Sequence, residues 1–190
     1  MSFDLLITVK NYFNNNLVTI IAGYFRESET VVRYGLNAVI PVSLAGIVLK
    51  AESSPETLFN LAKEARRTGI LNSFEKMFEL GSNGVPTIGP SLIGNIFGEK
   101  FGKITNSISN FTGIKDATAF SLLGTILTLE LGLIAEYADK NNLSSTALSS
   151  IIGFQKKSFF SVIPEGLNIS GLLRGSATVY HISSIAVKKR

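Results

Sequence analysis

Few residues in this chain have the type and spacing that chemistry requires. The single histidine, His181, has no Asp, Glu or Cys near it in sequence, so it lacks the partners of a general base or a metal site. Cysteine is absent, which removes thiolate metal ligands and any disulfide framework. Serine and threonine are plentiful, yet no GxSxG nucleophile elbow occurs. Glu29, Glu56 and Asp116 stand where helices are expected to start, and the positive end of a helix dipole accounts for carboxylates there. Glu130 and Glu136 are the one candidate acid pair on a single helix, but at that separation they point to different sides and do not converge. These residues form no catalytic constellation, so neither an enzymatic role nor a metal or cofactor is expected.

The pattern that does stand out is architectural. Ile21 to Ala51 reads IAGYFRESETVVRYGLNAVIPVSLAGIVLKA, and Ile108 to Ala138 reads ISNFTGIKDATAFSLLGTILTLELGLIAEYA. Aligned without gaps, Tyr24 falls on Phe111, Glu29 on Asp116, Leu36 on Leu123, Leu44 on Leu131 and Ile47 on Ile134. Each copy has an aromatic, a loop, an acidic helix start and then a long apolar helix. The expected fold is all-α: an internally duplicated helical bundle of about eight helices, with two long central apolar helices, one of them kinked at Pro41.

Composition agrees. Hydrophobic residues make up 45% of the 190 and charged ones 17%, and mean hydropathy is +0.30. Such apolarity means helices buried on several sides, or contact with a protein partner, a second copy or a membrane surface. The net charge of +4 is dispersed over Arg66-Arg67, Lys156-Lys157 and Lys188-Lys189-Arg190 without a basic stripe carrying interleaved aromatics, so nucleic acid is not expected as a partner. Asp4 sits where a signal peptide would be positive, and the first residues read as an amphipathic helix of a cytoplasmic protein.

Local signals place the elements. Ser28 is placed to cap the first long helix, and Ser54-Pro55 to open a helix stopped by Gly69, followed by a shorter one from Ile70 to Leu80. The segment 81–90, GSNGVPTIGP, reads as a linker between a first helical repeat over 1–80 and a second over 91–166 packed on the first. A glycine-spaced helix is expected from Ser91 to Phe111, and a helix opened by Ser144-Ser145 is expected to reach Val162. Residues 167–190 are expected to be a loosely ordered or partner-dependent tail, in which TVYHISSIAV has strand character.

Within the long helices, Ser121, Thr125, Thr128 and Gly132 line one small-residue face, matched in the first copy by Ala38, Pro41 and Ala45. These faces are expected to be the contact between repeats. Phe120 to Ala135 carries one charge, Glu130, and is shorter than the roughly 20 apolar residues of a spanning helix, which favours a buried hairpin over a membrane span. Ser43 is the counterpart of Glu130, so the two mark a polar core position or a pocket facing an opening. Gly94, Gly98 and Gly102 form a GxxxGxxxG series expected to pack closely on a neighbouring helix.

Three stretches carry a resemblance: VVRYGLNAVIPVSLAGIVLKAESSPET, IFGEKFGKITNSISNFTGIKDATAFSLLGTI and IIGFQKKSFFSVIPEGL. Together they resemble the YidB-like bacterial family, a domain of unknown function. The most specific matches are Pro41, Leu44, Ala45 and Gly46, then Phe97-Gly98-Glu99-Lys100, then Gln155-Lys156-Lys157 with Pro164-Glu165-Gly166-Leu167. The resemblance spans about Leu17 to Leu173. Family members often carry a proline where this chain has Thr128, so the second long helix is expected to be the straighter one. Some members place the domain ahead of a membrane anchor and an OmpA-like peptidoglycan-binding domain; neither is expected within the residues up to Arg190. The resemblance implies an all-helical fold and supplies no catalytic residues.

The expected function is that of a structural or protein-interaction module burying apolar helix faces against a partner or another copy. A peripheral membrane or lipid-binding role is the alternative. A small-ligand pocket near Thr128 and Glu130 is the least favoured.

Overall fold

The computed structural model describes residues 3–79 and 87–173. The regular structure there is helical: α1 (Leu5–Lys10), α2 (Asn15–Phe25), α3 (Glu29–Ser53), α4 (Pro55–Arg67), α5 (Ile70–Ser73), α6 (Gly89–Phe97), α7 (Phe101–Thr112), α8 (Asp116–Lys140), α9 (Ser145–Phe154), α10 (Lys156–Ser161) and α11 (Ser170–Leu173). Single 3-10 turns lie at Lys76–Phe78, Gly98–Lys100 and Glu165–Leu167.

Helix starts follow side-chain chemistry. Asp4, Asn14, Ser28 and Ser144 each accept a hydrogen bond from a backbone N–H of the first turn, at Ile7, Leu17, Val31 and Ala147. Pro55 opens α4, where its missing N–H costs nothing. The chain turns through left-handed backbone at Gly69 (φ 73°) and Gly113 (φ 81°), conformations a side chain would resist.

The core is organised by α3 and α8, each 25 residues long. Burial is unbroken from Ala38 to Val48 in α3 and from Leu122 to Ala135 in α8. A helix apolar on every side must be enclosed, and the neighbours supply the enclosure. α8 runs along α4 and crosses α3 and α6, while α3 is covered by α9 and α10. Each long helix is thus sheathed largely by helices from the other half of the chain. α4 shows the opposite pattern: Leu58, Leu61, Ala62 and Ala65 face inward, while Lys63, Glu64, Arg66 and Arg67 face water.

Several sequence expectations change here. The helix expected over Ser91–Phe111 is broken at Gly98, whose φ of 58° cannot continue a helix. The one expected to reach Val162 is interrupted at Gln155. α6 begins at Gly89, inside the expected linker; residues 80–86 lie outside the described part. The packed structure extends past residue 166, because Leu167, Ile169 and Leu173 are buried. His181, TVYHISSIAV and Lys188-Lys189-Arg190 fall outside the described residues.

The length argument against membrane spanning also needs correction. α3 and α8 are both long and apolar enough to cross a membrane, with mean hydropathies of 1.6 and 1.7. What distinguishes them is enclosure: 78% and 83% of their most apolar windows is buried within the fold.

Candidate functional site

The most unusual chemistry lies where α3 crosses α8. Glu130 is fully buried in the middle of α8, and its Oε1 lies 2.8 Å from Ser43 Oγ. Ser43, also fully buried, lies 2.9 Å from the carbonyls of both Val39 and Ile40. A serine has one proton and so cannot donate to two carbonyls and a carboxylate together. Ser43 Oγ donates to Glu130 Oε1 when the carboxyl is ionised; a protonated carboxyl can instead donate to Ser43 Oγ and free the serine proton for its own helix. Burial pushes the Glu130 carboxyl well above the usual carboxylate range, opposed by its Ser43 hydrogen bond. Glu130 Oε2 is buried with no hydrogen-bond partner among the described residues. The position is therefore a closed polar core and does not face an opening, which corrects the pocket expectation for Ser43 and Glu130.

Apart from half-buried Ser121 the small-residue positions are buried, but they do not all meet across the two long helices. Ala38, Pro41 and Ala45 are enclosed along α3. Thr125 and Thr128 turn their hydroxyls back to the Ser121 and Gly124 carbonyls, at 2.8 and 2.7 Å. Gly132 faces α5 instead of α3: a Cβ there would lie 2.8 Å from Ile70 Cγ2. The GxxxGxxxG expectation is overturned outright. Among the described residues, local backbone aside, no atom lies within 4 Å of a Cβ built on Gly94, Gly98 or Gly102, so these glycines are not close-packing points there.

The glycines that do permit close approach lie elsewhere. A Cβ on Gly46 would lie 2.6 Å from Phe97 Cε1 and 2.7 Å from Ile96 Cγ2, so its absence lets α6 seat on α3. Gly124 and Gly89 meet backbone to backbone, where a Cβ on either would be 3.1 Å from the other's Cα. No spacing rule singles these out, because the partner in each case is distant in sequence.

A second residue missed by sequence reasoning is Glu27. α8 has no side-chain cap of its own, since Lys115 occupies the capping position. Glu27, from the turn between α2 and α3, supplies it: its Oε1 accepts from Lys115 N at 3.0 Å and from Thr118 Oγ1 at 3.2 Å. The Lys115 ammonium lies 3.5 Å from the same oxygen and donates to the Arg26 carbonyl. The only clue in sequence is the absence of a capping residue before Asp116.

Other candidate chemistry is accounted for locally. Glu136 pairs with Lys140 at 3.0 Å, one turn along α8, and does not converge with Glu130. Ser73 and Lys76, which sequence reasoning missed, have the SxxK spacing of a serine–lysine nucleophile, but Ser73 Oγ donates to the Gly69 carbonyl at 3.1 Å and Lys76 is exposed. Among the described residues no group of three or more His, Cys, Asp and Glu could hold a metal ion.

The surface carries two clefts of interest. One of about 140 Å³ surrounds Pro41, between Leu36, Asn37 and Ile40 of α3 and Val162 and Pro164 beyond α10, with Lys10 at its edge. A more open one of about 560 Å³ lies where Leu49 and Lys50 approach Ile96, Phe97, Lys100 and Leu173. Large apolar side chains stand exposed at Phe154 (89%), Ile7 and Tyr34 (57% each), with Phe101, Phe111 and Val162 less so.

No curated protein and no solved structure matches this chain. A family model described as "Bacterial protein of unknown function (DUF937)" matches residues 8–136, from within α1 almost to the end of α8. The match takes in both long helices, the Ser43–Glu130 contact and the Glu27 cap, and on this evidence the chain belongs to the DUF937 family of bacterial proteins.

Proposed function

We propose that this chain is a non-catalytic protein-interaction module built from an internally duplicated helical unit. The duplication reading is supported by α3 and α8, which have equal lengths and whose corresponding residues 43 and 130 are 87 positions apart, the offset that also relates the helix bounds. The apolarity that first suggested a partner is largely consumed by the chain's own core. Among the described residues, one surface left for a partner is the rim around Pro41.

One observation carries this reading: Tyr34 is 57% exposed on the same α3 stripe as Asn37 and Pro41, and those two line the small cleft together with Val162 and Pro164. Pro41 has no N–H, so the Asn37 carbonyl lacks its usual helical donor. Lys10 adds a positive charge at the edge. The fitting partner is a protein segment with one apolar side chain for the cleft and an acidic neighbour.

Tyr34→Ser with Val162→Ser tests it. Cross-linked capture from the native host should lose a partner that the unaltered chain retains, while the melting temperature stays unchanged. Capture that does not respond to these substitutions counts against the reading.

A peripheral membrane role is the second reading, favoured by one feature. Phe154 is 89% exposed and lies three residues from the exposed Lys157, an aromatic-plus-cation arrangement suited to an anionic lipid surface. Salt-sensitive co-sedimentation with anionic vesicles, abolished by Phe154→Ser, is the expected result on that reading.

A further inference from the structure

Residues 43 and 130 hold the same place in α3 and α8, and they touch. Equivalent positions of two helices related by a twofold axis can meet only close to that axis; away from it, equivalents diverge. Such a contact would pair like with like if the two copies were identical. Here they differ: the axis carries Ser on one side and Glu on the other.

We infer that the Ser43–Glu130 pair is a pairing code at the local twofold axis, making each half of the chain fit the opposite half and not its own kind. The inference rests on the duplication proposed above. Two glutamates at the axis would place two carboxyls in a site without water. Among the described residues, the other buried polar side chains are Ser43 and the threonines Thr105, Thr112, Thr118, Thr125 and Thr128, so no buried cation is present to neutralise a carboxylate. Two serines would leave the volume of the carboxyl unfilled, with each hydroxyl returning to its own helix as Ser43 does to Val39 and Ile40. The mixed pair fills the space and gives the one carboxyl a hydroxyl partner without crowding a second carboxyl beside it. The interaction surface along α3 and α8 therefore has a polarity: it accepts the complementary half and rejects a duplicate.

A code at a twofold axis should work when its two letters are exchanged. Thermal unfolding of the full chain measures this. Ser43→Glu alone creates the Glu–Glu pair and should lower Tm by about 10 °C or abolish cooperative unfolding. Glu130→Ser alone should cause a smaller loss. The exchanged chain, carrying Ser43→Glu together with Glu130→Ser, should recover at least half of the Tm lost by Ser43→Glu. If Ser43→Glu is too unstable to purify, a soluble and cooperatively folding exchanged chain supports the inference. An exchanged chain that melts no higher than Ser43→Glu, or that also fails to fold, overturns it. Because the readout is stability, this failure is distinct from failure of the docking face at Tyr34 and Val162, which is read by partner capture.

Discussion

Glu130 and Ser43, 87 residues apart in the chain, share a hydrogen bond of 2.8 Å at a helix crossing from which water is excluded. An ionised carboxyl would take the serine proton itself, whereas a neutral one can donate to Ser43 Oγ and leave that proton to the Val39 or Ile40 carbonyl. Burial raises the Glu130 carboxyl well above the ordinary glutamate value, so the folded chain keeps this proton to higher pH than the unfolded chain does.

The sign of the pH effect follows. A carboxyl whose folded pKa is raised contributes its full stability below the unfolded pKa, and that contribution is lost as pH rises toward the folded pKa. Glu130→Gln keeps the shape and a donor for Ser43 without titrating. Its urea midpoint should match the unaltered chain below about pH 5 and exceed it at about pH 8. Parallel midpoints across that range would mean that Glu130 is not held neutral.

Ser43→Ala removes the acceptor and leaves a buried carboxyl with no partner at either oxygen. The expected loss is about 1–3 kcal/mol in denaturant unfolding, set by the unsatisfied group more than by the bond itself. A loss near zero would show that the carboxyl finds another acceptor.

Glycine substitutions should separate contact from mere spacing. Gly46→Ala drives a methyl group into Phe97 and Ile96 and should cost about 1–3 kcal/mol, despite alanine's better helix propensity. Gly94→Ala lies in α6 with open space around it and should stabilise by up to about 1 kcal/mol. Equal effects from the two would contradict the packing described.

Glu27→Ala uncaps α8 from a distance. Its removal strips acceptors from the Lys115 N–H and the Thr118 hydroxyl and should cost roughly 0.5–2 kcal/mol. Amide hydrogen exchange should rise first in the opening turn of α8. Exchange confined to α3 would place the effect elsewhere.

Much of the secondary structure was legible because its causes are local. Ser28, Ser144 and Pro55 announce helix starts, Gly69 and Gly113 announce stops, and the unrelieved apolarity of α3 and α8 announces burial on every side. Where two local rules competed, the reading failed. The glycine series looked like a packing ridge, but Gly98 takes a positive φ and breaks the helix that the ridge required.

What the chain by itself determined, then, was the set of helices and the fact that two of them must be enclosed, since propensity, capping and hydropathy act within a few residues. The tertiary structure alone decided which neighbours do the enclosing. Gly132 meets Ile70, Gly46 meets Phe97, Glu27 caps a helix it does not belong to, and Glu130 finds Ser43. Each of these joins residues far apart in sequence, so it depends on how whole helices cross, and no local spacing encodes that geometry.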